Sequence, residues 1–245
     1  MKRLADYSQH FLRSPALIKS LIGHTNIRKN DTVYDIGAGS GTISAVLAGK
    51  VKKVVAIELE PRIFETLRHN MSAYDNVTVV QKDFLTLPLP DEPYKIFANI
   101  PFHISSQIVH KITDTPHSLK AAYLIVQKQF ARKLLICSDY FTGQLGAMIA
   151  PWYTARIRKP LRRTDYWPHP NVDTVLLEIM PRPEPLLSVA VMPRYRQMID
   201  QAFSDPRVFA KLPLKRAGIG EGIKPSMVRT EQWVAIMLAL DEGRK

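Results

Sequence analysis

Between a β-branched run and a helical pattern the chain carries Asp35-Ile36-Gly37-Ala38-Gly39-Ser40-Gly41, an acid followed by glycines at alternate positions. Glycine admits positive φ and lets the backbone come close to a ligand, so this spacing predicts a tight strand-to-helix turn. In a parallel sheet such a turn lies at the carboxyl end of a strand, where ligands bind. The spacing differs from the G-x-G-x-x-G of a dinucleotide fingerprint, and no Lys-Ser/Thr follows it as in a triphosphate loop. Taken alone, the loop also reads as a tight turn without any ligand.

The surrounding pattern favours the parallel sheet. Strand-like segments fall at residues 32–36, 54–58, 77–80, 95–99, 121–126, 153–157 and 174–180, with helix-like segments at 42–48, 61–71, 105–112 and 128–136. Alternation of this kind predicts an α/β fold, a mostly parallel seven-stranded sheet with helices on both faces. Pro181-Arg182-Pro183-Glu184-Pro185 continues neither strand nor helix. Beyond it, residues 194–203 and 231–240 show helical apolar spacing and nothing reads as a strand. The expected organisation is residues 1–183 as a ligand-binding catalytic domain and residues 184–245 as a small all-helical domain.

Two further acids fall at strand ends. Glu58 closes the second strand, where a carboxylate accepts both hydroxyls of a ribose. Asp83 follows the third and can accept a hydrogen from an adenine amino group. Either acid alone reads first as a solvated charge or a helix cap. With Asp35 they outline a crevice at the carboxyl ends of parallel strands. The ligand that suits it is S-adenosylmethionine, with its ribose, adenine and cationic sulfonium.

After the fourth strand comes Asn99-Ile100-Pro101-Phe102. Adenine N6 is a weak nucleophile because its lone pair is delocalised into the ring. The Asn99 carboxamide oxygen and the Ile100 carbonyl can accept its two hydrogens, and Pro101 stiffens the turn and removes a competing donor. Phe102 can stack on the base, a contact worth about 1–3 kcal/mol. Elsewhere in a chain these residues would read as an Asn-capped turn with a core Phe. A second aromatic for the opposite face of the base is Tyr166, with Trp167 the alternative. Both lie in Arg162-Arg163-Thr164-Asp165-Tyr166-Trp167-Pro168-His169-Pro170, and packing against the sheet is the competing role.

The balance of 34 Lys and Arg against 22 Asp and Glu, a net +12, favours a polyanionic partner. Lys128, Arg132 and Lys133 share one helical segment, and Arg156, Arg158, Lys159, Arg162 and Arg163 precede the aromatics. These are the candidate phosphate contacts, expected to line a cleft between the domains, although some read as solvated charge. Cys137 is the single cysteine, which excludes an internal disulfide framework and a Cys-rich zinc site, and no metal is expected. No run approaches the roughly 20 apolar residues of a membrane span, and residues 1–13 lack the apolar core of a secretory signal. A cytoplasmic monomer without a membrane partner is the expectation.

Together these residues resemble the ribosomal RNA adenine-N6 dimethyltransferases, a group of Rossmann-like class I methyltransferases. Within that group the chain is similar to the Erm branch, which modifies a 23S rRNA adenine at the macrolide site. The resemblance runs from Ser8-Gln9-His10-Phe11-Leu12 through the glycine loop, Glu58, Asp83 and Asn99-Ile100-Pro101-Phe102 to residues 166–173, about the first three quarters of the chain. Ile100 is the Erm form, where the 16S branch usually has Leu. The resemblance implies that Gln9 and Phe11 hold the methionyl end of the cofactor, with His10 between them in the cofactor site and its role open. It implies that Asp35, Gly37, Gly39 and Gly41 shape the pocket floor, and that Glu58, with Leu59 beside it, takes the ribose. Asp83 and Phe84 would take the cofactor adenine. Asn99 would meet both cofactor and target base, with Phe102 and Tyr166 stacking on the base. Two positions depart from the family pattern: His10 stands where Asn is usual, and Asp35 where Glu is common. The implied activity is mono- or dimethylation of one 23S rRNA adenine, with macrolide-lincosamide-streptogramin B resistance. The rivals are a 16S rRNA dimethyltransferase in small-subunit assembly and a non-catalytic RNA-binding factor on the same fold.

Overall fold

The computed structural model describes residues 11–12, 14–114, 118–135 and 142–243, with Phe11 described in its backbone only. The first elements are β1 (Phe11–Leu12), α1 (Pro15–Ile22), β2 (Thr32–Ile36), α2 (Thr42–Ala48), β3 (Lys53–Glu58), α3 (Pro61–Met71) and β4 (Val77–Gln81). A 3-10 turn, Phe84–Thr86, leads to β5 (Tyr94–Asn99), α4 (Ser105–Thr113), β6 (Leu119–Gln127), α5 (Lys128–Leu134) and α6 (Gln144–Ile149). The chain then forms β7 (Tyr153–Leu161), β8 (Tyr166–Trp167), β9 (Thr174–Pro181), α7 (Met192–Ser204), α8 (Pro206–Ala210) and α9 (Thr230–Glu242).

Local chemistry sets several of these boundaries. At the start of α1 the Ser14 hydroxyl oxygen accepts the Leu17 N–H, and Pro15 occupies the first turn where its missing donor costs nothing. Helix α3 opens the same way: the Glu60 carboxylate accepts the Ile63 N–H at 2.7 Å ahead of Pro61.

The seven-stranded sheet runs β4-β3-β2-β5-β6-β9-β7, as the alternation predicts. Strands β4, β3, β2, β5 and β6 run parallel to one another, and β9 joins β6 antiparallel. On β6, Tyr123 and Ile125 alternate with Ala122, Leu124 and Val126, and all five are fully buried, so both faces of the sheet are covered. Ile18 and Leu21 of α1 and Leu47 of α2 pack with Val33, Val54, Phe97 and Tyr123 in one core cluster. Each such buried side chain stabilises the fold by about 1.5–3 kcal/mol. The short strands β1 and β8 pair antiparallel as a separate ribbon, Leu12 opposite Tyr166 and Phe11 opposite Trp167.

The chain divides into two units. One runs up to Ala131 and takes in Ile157–Met180; the other holds Arg132–Arg156 and the chain from Pro181 onward. The expected boundary after residue 183 treats the units as consecutive, whereas the structure threads α6 into the helical one. There the Tyr195 hydroxyl donates to the Ala147 carbonyl at 3.0 Å and the Trp152 indole N–H to the Leu187 carbonyl at 2.9 Å. Phe203 stacks on Trp233 in the same unit. No strand follows β9 among the described residues.

Candidate active site

Strand order reverses between β2 and β5: the chain builds outward from β2 through β3 to β4 on one side, and through β5 to β6 on the other. Loops leaving the carboxyl ends at such a point diverge and open a crevice. The loops there are the glycine turn after β2 and Asn99-Ile100-Pro101-Phe102 at the end of β5. They come close: a Cβ on Gly37 would lie 3.4 Å from Pro101 Cδ. A small cleft between them is lined by Leu12, Gly37, Ala38, Ser40, Thr42, Ile43 and Asn99.

Gly37, Gly39 and Gly41 all have positive φ, at 68°, 57° and 92°. The turn is anchored to the neighbouring strand, because the Gly37 and Ala38 N–H groups both donate to the Ile57 carbonyl at 2.9 and 3.0 Å. At Gly41 the requirement is also steric, since a Cβ would come within 3 Å of Met71 and Leu67 on α3.

Glu58 is 7% exposed, and its carboxylate is held by backbone donors. Oε2 accepts the Gly39 N–H at 2.9 Å, while Oε1 accepts those of Leu59 and Glu60 at 2.9 and 3.1 Å. Leu59 beside it is 59% exposed, an apolar surface at the crevice strand end. Asp35 is buried beneath the turn. Its Oδ2 accepts the Ser44 hydroxyl at 2.6 Å, and Oδ1 has no hydrogen-bond partner among the described residues. Burial pushes this carboxyl up to about 7; the Ser44 bond pulls it down and the Glu58 charge adds to the rise. Asp83 caps the 3-10 turn, with Oδ1 accepting the Leu85 N–H at 2.9 Å, and Phe84 next to it is 6% exposed.

At the end of β5 the Ile100 side chain is buried and anchors the loop. The Pro101 carbonyl accepts the Ile104 N–H and the Ser105 hydroxyl, which fixes the passage through the 3-10 turn Phe102–Ile104 into α4. Asn99 and Phe102 are half-buried at this rim.

Tyr166 is placed differently from its expected role as the second stacking aromatic. It is fully buried in the core cluster and its hydroxyl shares a 2.7 Å hydrogen bond with Thr174 Oγ1, so its ring offers no face to a base. Burial raises its hydroxyl well above the ordinary tyrosine value. Strand alternation turns the adjacent Trp167 outward, 59% exposed and edge-on to His169.

Among the expected phosphate contacts, Arg132, Lys133, Arg162 and Arg163 are exposed and Lys128 is half-buried. Arg158 is turned to structural work: its Nε donates to the His24 carbonyl at 2.9 Å and faces Glu178 at 3.9 Å. Gln9 and His10 lie outside the described residues, as does the Phe11 side chain. Two residues that the sequence does not single out support the turn. Ser44 holds Asp35, and Asn70 Nδ2 donates to the Ser40 carbonyl at 2.9 Å. The available signal for Ser44 is a hydroxyl set among the apolar Ile43, Ala45, Val46 and Leu47 of α2.

Residues 2–212 match the family model described as ribosomal RNA adenine dimethylase. The chain belongs to this family. An rRNA adenine N-6-methyltransferase of Saccharopolyspora erythraea is 30% identical over 251 residues, 97% of this chain and 65% of the relative. A probable ribosomal RNA small subunit methyltransferase A of Methanosarcina mazei is 30% identical over 182 residues, 73% of this chain and 65% of the relative. This chain thus spans just under two thirds of the length of either relative. The solved structure of the 23S rRNA methyltransferase ErmE is similar at 30% identity with a TM-score of 0.80, over 94% of this chain and 99% of that one. The mixed seven-stranded sheet and C-terminal helical region are the methyltransferase fold of this family.

Proposed function

We propose that this member of the ribosomal RNA adenine dimethylase family methylates N6 of an adenine in 23S rRNA, with S-adenosylmethionine as donor, and so confers macrolide-lincosamide-streptogramin B resistance. The observation that carries the reading is the small cleft that Gly37 and Asn99 line together, where the Asn99-Ile100-Pro101-Phe102 segment comes so close to the glycine turn that a Cβ on Gly37 would meet Pro101. The ErmE likeness over 94% of the chain supports a 23S target.

The side chains fit the cofactor. The orphaned, buried Asp35 Oδ1 suits a cationic ligand, the fixed Glu58 carboxylate a ribose diol, and Asp83 Oδ2 an exocyclic amine. When bound, S-adenosylmethionine supplies an electrophilic methyl group on a sulfonium. Asn99 Oδ1 and the Ile100 carbonyl accept the two N6 hydrogens and turn the nitrogen lone pair out of conjugation. Phe102 on one face and Trp167 on the other hold the extruded base. The extra N6 proton departs after transfer, so no strong base is needed, and positioning with electrostatics carries the rate. Arg162 and Arg163, exposed on the loop that bears Trp167, contact RNA phosphate, with Lys128, Arg132 and Lys133 as further contacts. Among the described residues there is no cluster of three or more metal-ligating side chains, and no helix long and apolar enough to cross a membrane. The protein acts as a monomer in the cytoplasm, without a metal.

The test is methyl transfer from labelled S-adenosylmethionine to protein-free 23S rRNA, beside 16S rRNA both naked and in 30S particles, with the modified base mapped. Label on one adenine of naked 23S rRNA is expected. Label confined to 16S rRNA would move the protein to small-subunit assembly, in line with the small subunit methyltransferase relatives. Cofactor binding without any label would indicate a non-catalytic RNA-binding role.

A further inference from the structure

The turn after β4 stands outside the sheet, so no ladder hydrogen bonds hold Asp83 and Phe84. Asp83 uses one carboxylate oxygen to cap the turn from within. The Asp83 carbonyl also accepts the Thr86 N–H and hydroxyl within the turn, and support from another element comes from Lys111 on α4. Its Nζ donates to the Leu85 carbonyl at 2.9 Å and to the Leu87 carbonyl at 2.5 Å, and lies 5.6 Å from the centroid of the Phe84 ring. An ammonium has three donors and no acceptor, so one group ties two turn carbonyls together while its charge faces the aromatic. Helix α4 follows Asn99-Ile100-Pro101-Phe102 after the 3-10 turn Phe102–Ile104, and its Ile108, Val109 and Ile112 are fully buried. A rigid helix therefore runs from the base-holding motif to the turn that carries Asp83.

We propose that Lys111 is a positioning residue for the adenine end of the cofactor, holding residues 83–87 in the one geometry that lets Asp83 Oδ2 accept from an exocyclic amine. This rests on the reading that Asp83 meets the cofactor adenine. Without Lys111 the turn keeps only its internal hydrogen bonds and is less firmly held against α4, and a ligand that uses Asp83 must order it on binding. A ligand lacking the amine gains nothing from Asp83 and bears little of that cost. Lys111 therefore governs selectivity for the amine as well as affinity.

The experiment is calorimetric titration of the full chain with S-adenosylhomocysteine and with S-inosylhomocysteine, in which oxygen replaces the amine. Lys111→Met keeps the alkyl stem and removes the donors. It should weaken S-adenosylhomocysteine binding roughly tenfold and S-inosylhomocysteine much less, shrinking the preference between them. Lys111→Arg should restore most of that preference. Equal weakening of both ligands, or no change in either, would make Lys111 a support of the fold only and overturn the proposal. Should Lys111→Met fail to fold, Lys111→Gln, which donates to one carbonyl, should show an intermediate preference, and an unaltered one would overturn the proposal. Asp83→Ala separates the two levels: if it leaves the preference for the amine intact, the assignment of Asp83 itself is wrong. If Asp83→Ala abolishes the preference while Lys111→Met does not, only the role of Lys111 falls.

Discussion

The Glu58 carboxylate accepts the Gly39 N–H at 2.9 Å, tying the end of β3 to the turn that follows β2. One side chain thus holds the glycine turn in shape and presents an acceptor to the crevice. Glu58→Gln places an NH2 among three N–H donors that need acceptors. The change should cost on the order of 2 kcal/mol of stability and weaken S-adenosylhomocysteine binding by at least tenfold. Urea unfolding and calorimetry check the two parts; unchanged affinity would remove Glu58 from the ligand site.

Asp35 makes stability depend on pH. Its carboxyl is raised from 3.8 to about 7 by burial, so between those values the folded state holds a proton that the unfolded state has released. Stability therefore falls as pH rises from about 4 to 7, by on the order of a few kcal/mol from this group. Asp35→Asn should flatten the slope, measured by urea unfolding at pH 5 and pH 8. A cationic ligand favours the ionised form, so S-adenosylmethionine, with its sulfonium charge, should bind more tightly at pH 8 than at pH 6, and the uncharged thioether S-adenosylhomocysteine should show less of this gain. An equal affinity at the two values would mean that Asp35 does not face the ligand charge.

The two aromatics of β8 should separate stability from turnover. Trp167→Ala should raise the RNA KM, as loss of a stacking contact worth about 1–3 kcal/mol implies, without lowering Tm. Tyr166→Phe removes the hydroxyl bonded to Thr174 and should cost about 0.5–1.5 kcal/mol of stability with methyl transfer intact. The opposite pairing of effects would return the stacking role to Tyr166.

Arg162 and Arg163 are exposed, and the salt bridge of Arg163 with Asp173 is at the surface. Such a pair contributes little to the fold, which leaves the cation available for phosphate. Replacing both arginines by alanine should weaken RNA binding and reduce the slope of log affinity against log salt by about 1.4–1.8. An unaltered slope would place the RNA elsewhere.

What the sequence makes legible follows from local periodicity. The parallel strands are short apolar runs bounded by turns, and Asp35, Glu58 and Asp83 stand out as acids at their ends. The inward turn of Tyr166 is not legible, because a two-residue strand has no alternation to read and its direction is set by pairing with β1. Helix α1 was open to recognition from Ser14 and Pro15, but its eight residues are short for a periodic signal. Attachment of residues 132–156 to the helical unit rests on contacts such as Tyr195 with Ala147, 48 positions apart. Lys111 reads in sequence as one more surface cation; only the fold brings it to the Leu85 and Leu87 carbonyls.

The central claim is that Asn99 acts on the target base at a crevice whose other residues hold the cofactor. The most direct test compares Asn99→Ala with the unaltered chain in single-turnover methyl transfer to 23S rRNA and in calorimetric binding of S-adenosylhomocysteine. Loss of transfer by at least about a thousandfold, with binding within roughly threefold, is the predicted result. Parallel loss of both, or transfer that persists, would contradict it.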